Sequence, residues 1–293
     1  MSGKTSLDAL RREIDDIDDT LHDLLMRRTK VVSRVCEAKR DQAIKIRPAR
    51  ECLILYRLME RHKGIFPRRE LARIWREMIA ATLSVEGPFS VGVHMPETDD
   101  PDRTYGGRWG TARDQYGSFT PMNAWPSARR LINAVRGQQV TVGVLAVPER
   151  NDKTPWWPHL AGTAKDTPRI IARLPFIGAP DDKGANEPML AICPVPSEPT
   201  GQDRTCLVVE STDEIGLQRL VTTCQKVHLK TTFTATWHDP EVASRYLQLA
   251  EVDGFVSDGD GKMLALAELL GGSVSSIMTI GSYGLPLDLG PSE

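Results

Sequence analysis

At 293 residues the chain exceeds the roughly 100–200 residues of a typical domain, so two or three domains are expected. Hydrophobic residues at 40% and charged residues at 26% exclude a disordered or fibrous chain, and Lys+Arg 37 against Asp+Glu 39 removes the basic surplus that nucleic acid or an anionic membrane would call for. The five cysteines are odd in number, widely spaced and without a C-x-x-C pair, which argues against a disulfide framework or a zinc knuckle and for a reducing compartment. Charges at Lys4, Asp8, Arg11 and Arg12 stand where a secretory signal needs an apolar run, and no 18-residue apolar stretch occurs, so a cytoplasmic protein is expected.

The first predicted element is one long helix. From Thr5 to Ala43 there is neither Pro nor Gly, and Leu7, Leu10, Ile14, Ile17, Leu21 and Leu24 recur at alternating steps of three and four, a coiled-coil-like stripe that Val31, Val32, Val35 and Ala38 extend. A helix of about 38 residues is ~57 Å long and cannot fold back on itself, so other helices must cover its stripe, and a second copy of the chain is expected to supply them. Pro48 suits the first turn of a second helix, Ala49 to His62, closed by Gly64 and Pro67. A third runs from Arg68 to Glu86, with Leu71, Ile74, Trp75, Met78, Ile79 and Leu83 expected on one face.

At Gly87-Pro88 the composition changes. Residues 1–86 hold 19 Lys/Arg and 14 Asp/Glu, leaving 18 and 25 for the rest, so net charge passes from +5 to −7. Only Pro48 and Pro67 of the 20 prolines, and Gly3, Gly64 and Gly87 of the 23 glycines, lie in the first 87 residues. A helical domain over 1–87 is therefore expected, followed by an α/β region.

Within the helical domain, Arg28 and Lys39 are 11 residues apart, which places them within about 20° on one helix face and ~16 Å apart along the axis, so both can grip one small anion. Arg11 lies ~25 Å before Arg28 and is rotated by roughly 100°, out of reach of that anion on its own helix but able to meet one across a dimer. Arg47 and Arg50 flank the start of the second helix, whose positive dipole end also attracts carboxylates.

The motifs Leu10-Arg11-x-x-Ile14-x-x-Ile17-Asp18, Leu24-Leu25-x-x-Arg28, Val35-x-x-Ala38-Lys39 and Arg47-Pro48-x-Arg50-Glu51 span the domain. Together they resemble the all-helical type II chorismate mutases, especially the domain that opens chorismate mutase/prephenate dehydratase fusion proteins. The resemblance implies an intertwined three-helix dimer and a cytoplasmic isomerase of the shikimate pathway, serving aromatic amino acid biosynthesis. Such an enzyme turns chorismate into prephenate without cofactor or metal, by conformer binding and electrostatic stabilisation. It also implies roles: Arg28 and Arg50 on substrate carboxylates, Arg11 supplied by the partner subunit, Glu51 on the ring hydroxyl, and Lys39 on the breaking ether oxygen. Arginine suits the carboxylates because its planar fork binds them bidentately and keeps its charge. Thr82 stands where the family often has a carboxylate-binding Ser, and Glu86 where it has Gln or Glu. For Glu86 to donate to the ether oxygen its carboxyl must be protonated, which implies turnover that rises toward acid pH. Arg47 replaces the Asp of many relatives, and its role is left open.

Downstream, Phe89 to Val93, Leu131 to Val135 and Val140 to Leu145 read as strand, helix and buried strand, and Arg169 to Leu174 as a further strand. Residues 88–202 resemble part of a prephenate dehydratase lobe, but Ala146-Val147-Pro148-Glu149-Arg150 stands where that family has its Pro-Ile-Glu-Asn-Ser stretch, and Met189 to Ile192 occupies the place of Thr-Arg-Phe. No dehydratase activity is therefore expected, and a cleft between two lobes is doubtful in so short a region. Residues 203–293 read as strand Thr205–Val209, helix Ile215–Cys224, strand Thr231–Trp237, strand Leu247–Val256, helix Lys262–Leu270 and strand Val274–Ile280, a ferredoxin-like βαββαβ order. They resemble the amino-acid-sensing ACT domain, with its ligand motifs replaced by Glu214-Ile215-Gly216-Leu217 and Ala235-Thr236-Trp237-His238. Two other readings stand beside a monofunctional mutase: a bifunctional mutase/dehydratase, and a non-catalytic dimeric sensor. A contact with another aromatic-pathway enzyme is a further expectation for the C-terminal part. Asp258-Gly259-Asp260-Gly261-Lys262 reads as a turn, and Trp156-Trp157 as local packing.

Overall fold

The Pro- and Gly-free N-terminal segment forms one helix, α1 (Leu7–Ala38), in the computed structural model, which describes residues 6–38, 44–96, 107–150, 152–178 and 187–289. The expected continuation to Ala43, including Lys39, lies outside the described residues. Helix α2 (Pro48–Arg61) opens on Pro48, whose missing N–H would have no partner in a first turn anyway. Helix α3 (Arg68–Glu86) starts after Pro67 and stops at Gly87, which takes a φ of 152°.

No residue of α1 is buried, and Leu7, Leu10, Ile14, Ile17, Leu21 and Leu24 are 45–62% exposed. The helix rests on α3 near its C-terminal end, where Arg28 meets Thr82 and Cys36 meets the Glu86 carbonyl. The face α3 buries is turned from the expected one. Ala72, Arg76, Ile79, Ala80, Thr82 and Leu83 are buried, whereas Ile74 is 51% exposed. The reason is that α3 lies between α2 and the α/β region and turns inward the small and basic positions that those two surfaces accept.

Among the described residues the α/β region forms one nine-stranded sheet in the order β2-β1-β3-β5-β4-β9-β6-β8-β7. Strands β1 (Val91–His94), β2 (Met122–Trp125) and β3 (Val142–Ala146) are parallel, joined through helices α4 (Gly107–Tyr116) and α5 (Ala128–Arg136). The sequence reading missed α4 and β2: α4 carries two glycines and little apolar periodicity, and β2 is four residues long. Gly92 in β1 makes room for α5, since a Cβ there would come within 2.4 Å of Leu131 Cδ1. The sheet continues with β5 (Met189–Cys193), antiparallel to β3, and then β4 (Arg169–Leu174), antiparallel to β5. Trp156 and Trp157, in and beside the short 3-10 helix Trp157–Leu160, are buried in this core.

The last strands β6 (Asp203–Ser211), β7 (Thr231–His238), β8 (Tyr246–Asp253) and β9 (Val274–Gly284) are antiparallel, with α6 (Leu217–Lys226) and α7 (Gly261–Leu270) packed on one face. Their spatial order β9-β6-β8-β7 is that of a split βαβ unit. Asp260 caps α7, and Asp258 accepts from the Thr279 amide and hydroxyl, so that segment is a structural turn. Among the described residues no helix is long and apolar enough to cross a membrane.

Two seams tie the chain together. Helices α2 and α3 share a small core of Cys52, Leu55, Met59 and Ala72 with Phe176 of the α/β region, and the Tyr56 hydroxyl donates to the Leu285 carbonyl. The two halves of the sheet meet where β4 runs parallel to β9 at Ile170 and Gly281. Gly281 has a φ of 137°, and a Cβ there would stand 2.2 Å from the Ile170 carbonyl oxygen, a backbone atom that cannot move aside. Gly281→Ala should therefore cost at least about 2 kcal/mol and lower Tm by roughly 4–8 °C in thermal unfolding followed by circular dichroism; an unchanged Tm would show that the seam yields.

Candidate active site

Three helices and one distant loop enclose a cavity of about 610 Å³. Arg28 reaches it from α1, Arg50, Glu51 and Arg57 from α2, Thr82 and Glu86 from the last turns of α3, Lys45 and Arg47 from the segment before α2, and Glu198 from the loop after β5. Five basic groups against three acidic ones give its walls an excess of two positive charges when all are ionised. Val32, Val35, Ile54, Trp75, Ile79 and Leu83 supply the apolar part of the lining. Such a chamber suits a compact dianion with an apolar body.

Arg28 and Thr82 form one unit across two helices. The guanidinium Nη1 donates to the Thr82 hydroxyl at 2.9 Å, and that hydroxyl in turn donates to the Met78 carbonyl one turn back. Partial burial pulls the Arg28 pKa below its ordinary value, and the Glu86 carboxylate opposes that shift. The half-buried Glu86 therefore acts on the guanidinium that the cavity presents.

Glu51 is a buried carboxyl in the wall of the chamber. It is 8% exposed, and its Oε2 accepts from Arg76 Nη1 at 2.9 Å, while Oε1 is buried with no hydrogen-bond partner among the described residues. Burial pushes its pKa up to about 7; Arg76 pulls the other way and Glu86 adds to the rise. The guanidinium of Arg76, 2% exposed, also lies 4.5 Å above the Phe176 ring. One oxygen of Glu51 is thus committed to the scaffold.

Of the seven site residues expected from sequence, Arg28, Arg50, Glu51, Thr82 and Glu86 line this one cavity. Arg11 does not; it is exposed on α1 and pairs with Asp8 at 3.4 Å. Lys39 lies outside the described residues. Arg47, left open from sequence, pairs with Glu198 at 2.9 Å. The sequence reading missed Arg76, Lys45, Arg57 and Glu198. A signal existed for Arg76, which falls four residues after Ala72 and three before Ile79 in the buried stripe of α3. Glu198 had none, since it meets Arg47 across 151 residues of chain.

With this geometry in hand, comparison with known proteins is specific for one segment. Residues 10–87 match the family described as chorismate mutase type II. A "Bifunctional chorismate mutase/prephenate dehydratase" of Stutzerimonas stutzeri is 34% identical over 103 residues, which covers 33% of this chain and 28% of that protein. The match thus spans little more than a quarter of that relative's length. Among solved structures, one titled "GqqA- a novel type of quorum quenching acylases" superposes with a TM-score of 0.49 at 13% identity, covering 68% of this chain and 96% of that one. Prephenate dehydratase from Streptococcus mutans gives 0.42 at 12% identity, covering 67% and 98%. Residues 10–87 are thus similar to chorismate mutase type II domains, and an α/β sheet region follows them.

The raised Glu51 pKa fixes a sign for stability. Between about 4.5 and 7 the folded protein keeps a proton that the unfolded chain has released, so this carboxyl's contribution to stability declines as pH rises through that window. The loss from pH 5 to pH 8 should be of order 1–3 kcal/mol and smaller in Glu51→Gln, measured as denaturant midpoints at each pH. Parallel pH curves for the two proteins would contradict the assignment.

Proposed function

We propose that the chain is a chorismate mutase, which rearranges chorismate to prephenate in its helical domain, in the cytoplasm, as a homodimer. The observation that carries this reading is the convergence of Arg28, Arg50, Glu51, Thr82 and Glu86 on one cavity with two excess positive charges, within the segment that matches the family. Chorismate is a dianion, and its rearrangement needs no covalent catalyst. The work is to hold the folded conformer and to stabilise negative charge that grows on the breaking ether oxygen.

In this reading Arg28, held by Thr82, and Arg50 bind the carboxylates, and Glu51 Oε1 meets the ring hydroxyl. Lys39 and a protonated Glu86 donate to the ether oxygen. Arg11 enters from the second copy, whose helices also cover the exposed α1 stripe. Exposed leucines and isoleucines along so long a helix support that dimer, since water does not tolerate such a stripe uncovered. The domains we propose are 1–87 for the mutase, 88–202 for a degenerate dehydratase-like region and 203–293 for an ACT-like unit, which the β9-β6-β8-β7 order supports.

Chorismate consumption, followed by absorbance, tests the reading. Arg28→Ala and Lys39→Ala should each lower kcat/KM by about 10²–10³ while the mass by light scattering stays that of a dimer. No turnover by the unaltered chain would leave the non-catalytic sensor as the better account, and turnover retained in both variants would remove Arg28 and Lys39 from the mechanism. A protonated donor also predicts that turnover rises from pH 8 toward pH 5 and that Glu86→Gln flattens this profile. A wild-type profile already flat over that range would remove Glu86 from the mechanism.

A further inference from the structure

A second cavity, of about 470 Å³, lies behind the first, between the start of α2, the end of α5 and the end of β9. The two chambers have the Arg47–Glu198 ion pair in common: both residues line both cavities, and their side chains meet at 2.9 Å with 33% and 47% of their surface exposed. A partly exposed pair of this kind is weak, so a competing carboxylate can displace Glu198 from Arg47.

The lining of the second cavity has its own chemistry. Arg47, Arg136 and Lys165 face Asp166 and Glu198, which leaves one excess positive charge. The N-terminus of α2 adds to it, because Pro48 and Ala49 open onto the cavity and no side chain caps that helix. Ile46, Ile171 and Tyr283, each 3% exposed or less, form an apolar floor. Ser282 also lines the space at 7% exposure, and its hydroxyl has no hydrogen-bond partner among the described residues; nor has the buried Nε of Arg136. Buried polar atoms in folded proteins are rarely left so.

We propose that this cavity binds a small monocarboxylate with an apolar body, and that its occupation weakens chorismate binding in the first cavity by drawing Arg47 away from Glu198. The carboxylate is held by Arg136, Arg47 and the Ser282 hydroxyl, with the apolar body on Ile46 and Ile171. Glu198, left without its partner, then presents an uncompensated negative charge to a chamber that must hold a dianion. The coupling is reciprocal, so chorismate weakens binding of the monocarboxylate by the same factor. The second cavity stands by itself; its link to turnover rests on the mutase reading.

Calorimetric titration of the full chain with 3-cyclohexylpropionate separates the two. Saturable binding is expected, at least about tenfold weaker for the uncharged 3-cyclohexylpropanamide and in Arg136→Gln, because each removes one half of a charge-assisted pair. In Ser282→Ala binding should weaken several-fold with Tm unchanged, since that substitution deletes a hydroxyl that has no partner in the fold. At saturating 3-cyclohexylpropionate the KM for chorismate should rise about fivefold, within the usual range of coupling between sites, with kcat unchanged, and Glu198→Gln should abolish the rise. No saturable heat, or equal affinity in Arg136→Gln and Ser282→Ala, overturns the site; saturable binding with an unaltered KM overturns the coupling. A chain that binds 3-cyclohexylpropionate as expected yet consumes no chorismate would overturn the mutase reading and the coupling with it, and leave the site intact.

Discussion

The buried ion pair between Arg76 and Glu51 is the contact on which the arrangement of the site depends. It joins α3 to α2 inside the protein, and each partner has a second duty: Arg76 covers the Phe176 ring of the α/β region, and Glu51 faces the cavity. Two charges taken out of water are costly, and such a pair is strongly destabilising to break because the survivor stays buried alone. Its contribution is therefore orientation. The carboxyl cannot turn away from the chamber without leaving a guanidinium unpaired in the interior.

The same contact explains why the helical domain is not a free-standing hairpin. Helices α2 and α3 direct their small residues and Arg76 toward Phe176 and Leu287, and leave the other side of α3 and the N-terminal stripe of α1 open. One seam is thus filled within the chain, and the second is an apolar surface of a kind that association covers. In the dimer proposed for this protein, both seams border the chamber, so substrate-binding groups are held by packing on each side.

The α/β region contributes more than a support. Glu198 extends from the loop after β5 to the wall of the chamber, and the parallel contact of β4 with β9 makes the last four strands part of the same sheet. A carboxylate at that wall lowers the positive charge of the chamber and tethers Arg47, which belongs to the segment leading into α2. Through this pair the C-terminal two thirds of the chain are in electrostatic contact with the chamber.

The presence of α1 and the bounds of α3 could be read in the sequence, because a Pro- and Gly-free stretch with three-four periodicity has a local cause, and Pro48, Gly64, Pro67 and Gly87 punctuate the helices that follow. The strands from β6 to β9 were legible for the same local reason, as apolar runs between turns. Arg28, Arg50, Glu51, Thr82 and Glu86 could be named as a set only through the resemblance of their motifs to the type II chorismate mutases. What the sequence could not determine were contacts made across long loops: the face that α3 buries, the pairing of Arg76 with Glu51, the union of two half-sheets at Gly281, and Glu198 beside Arg47. Each depends on surfaces far apart in the chain meeting in space, and burial, which decides whether an arginine is a solvated side chain or the partner of an interior carboxylate, exists only once those surfaces have met.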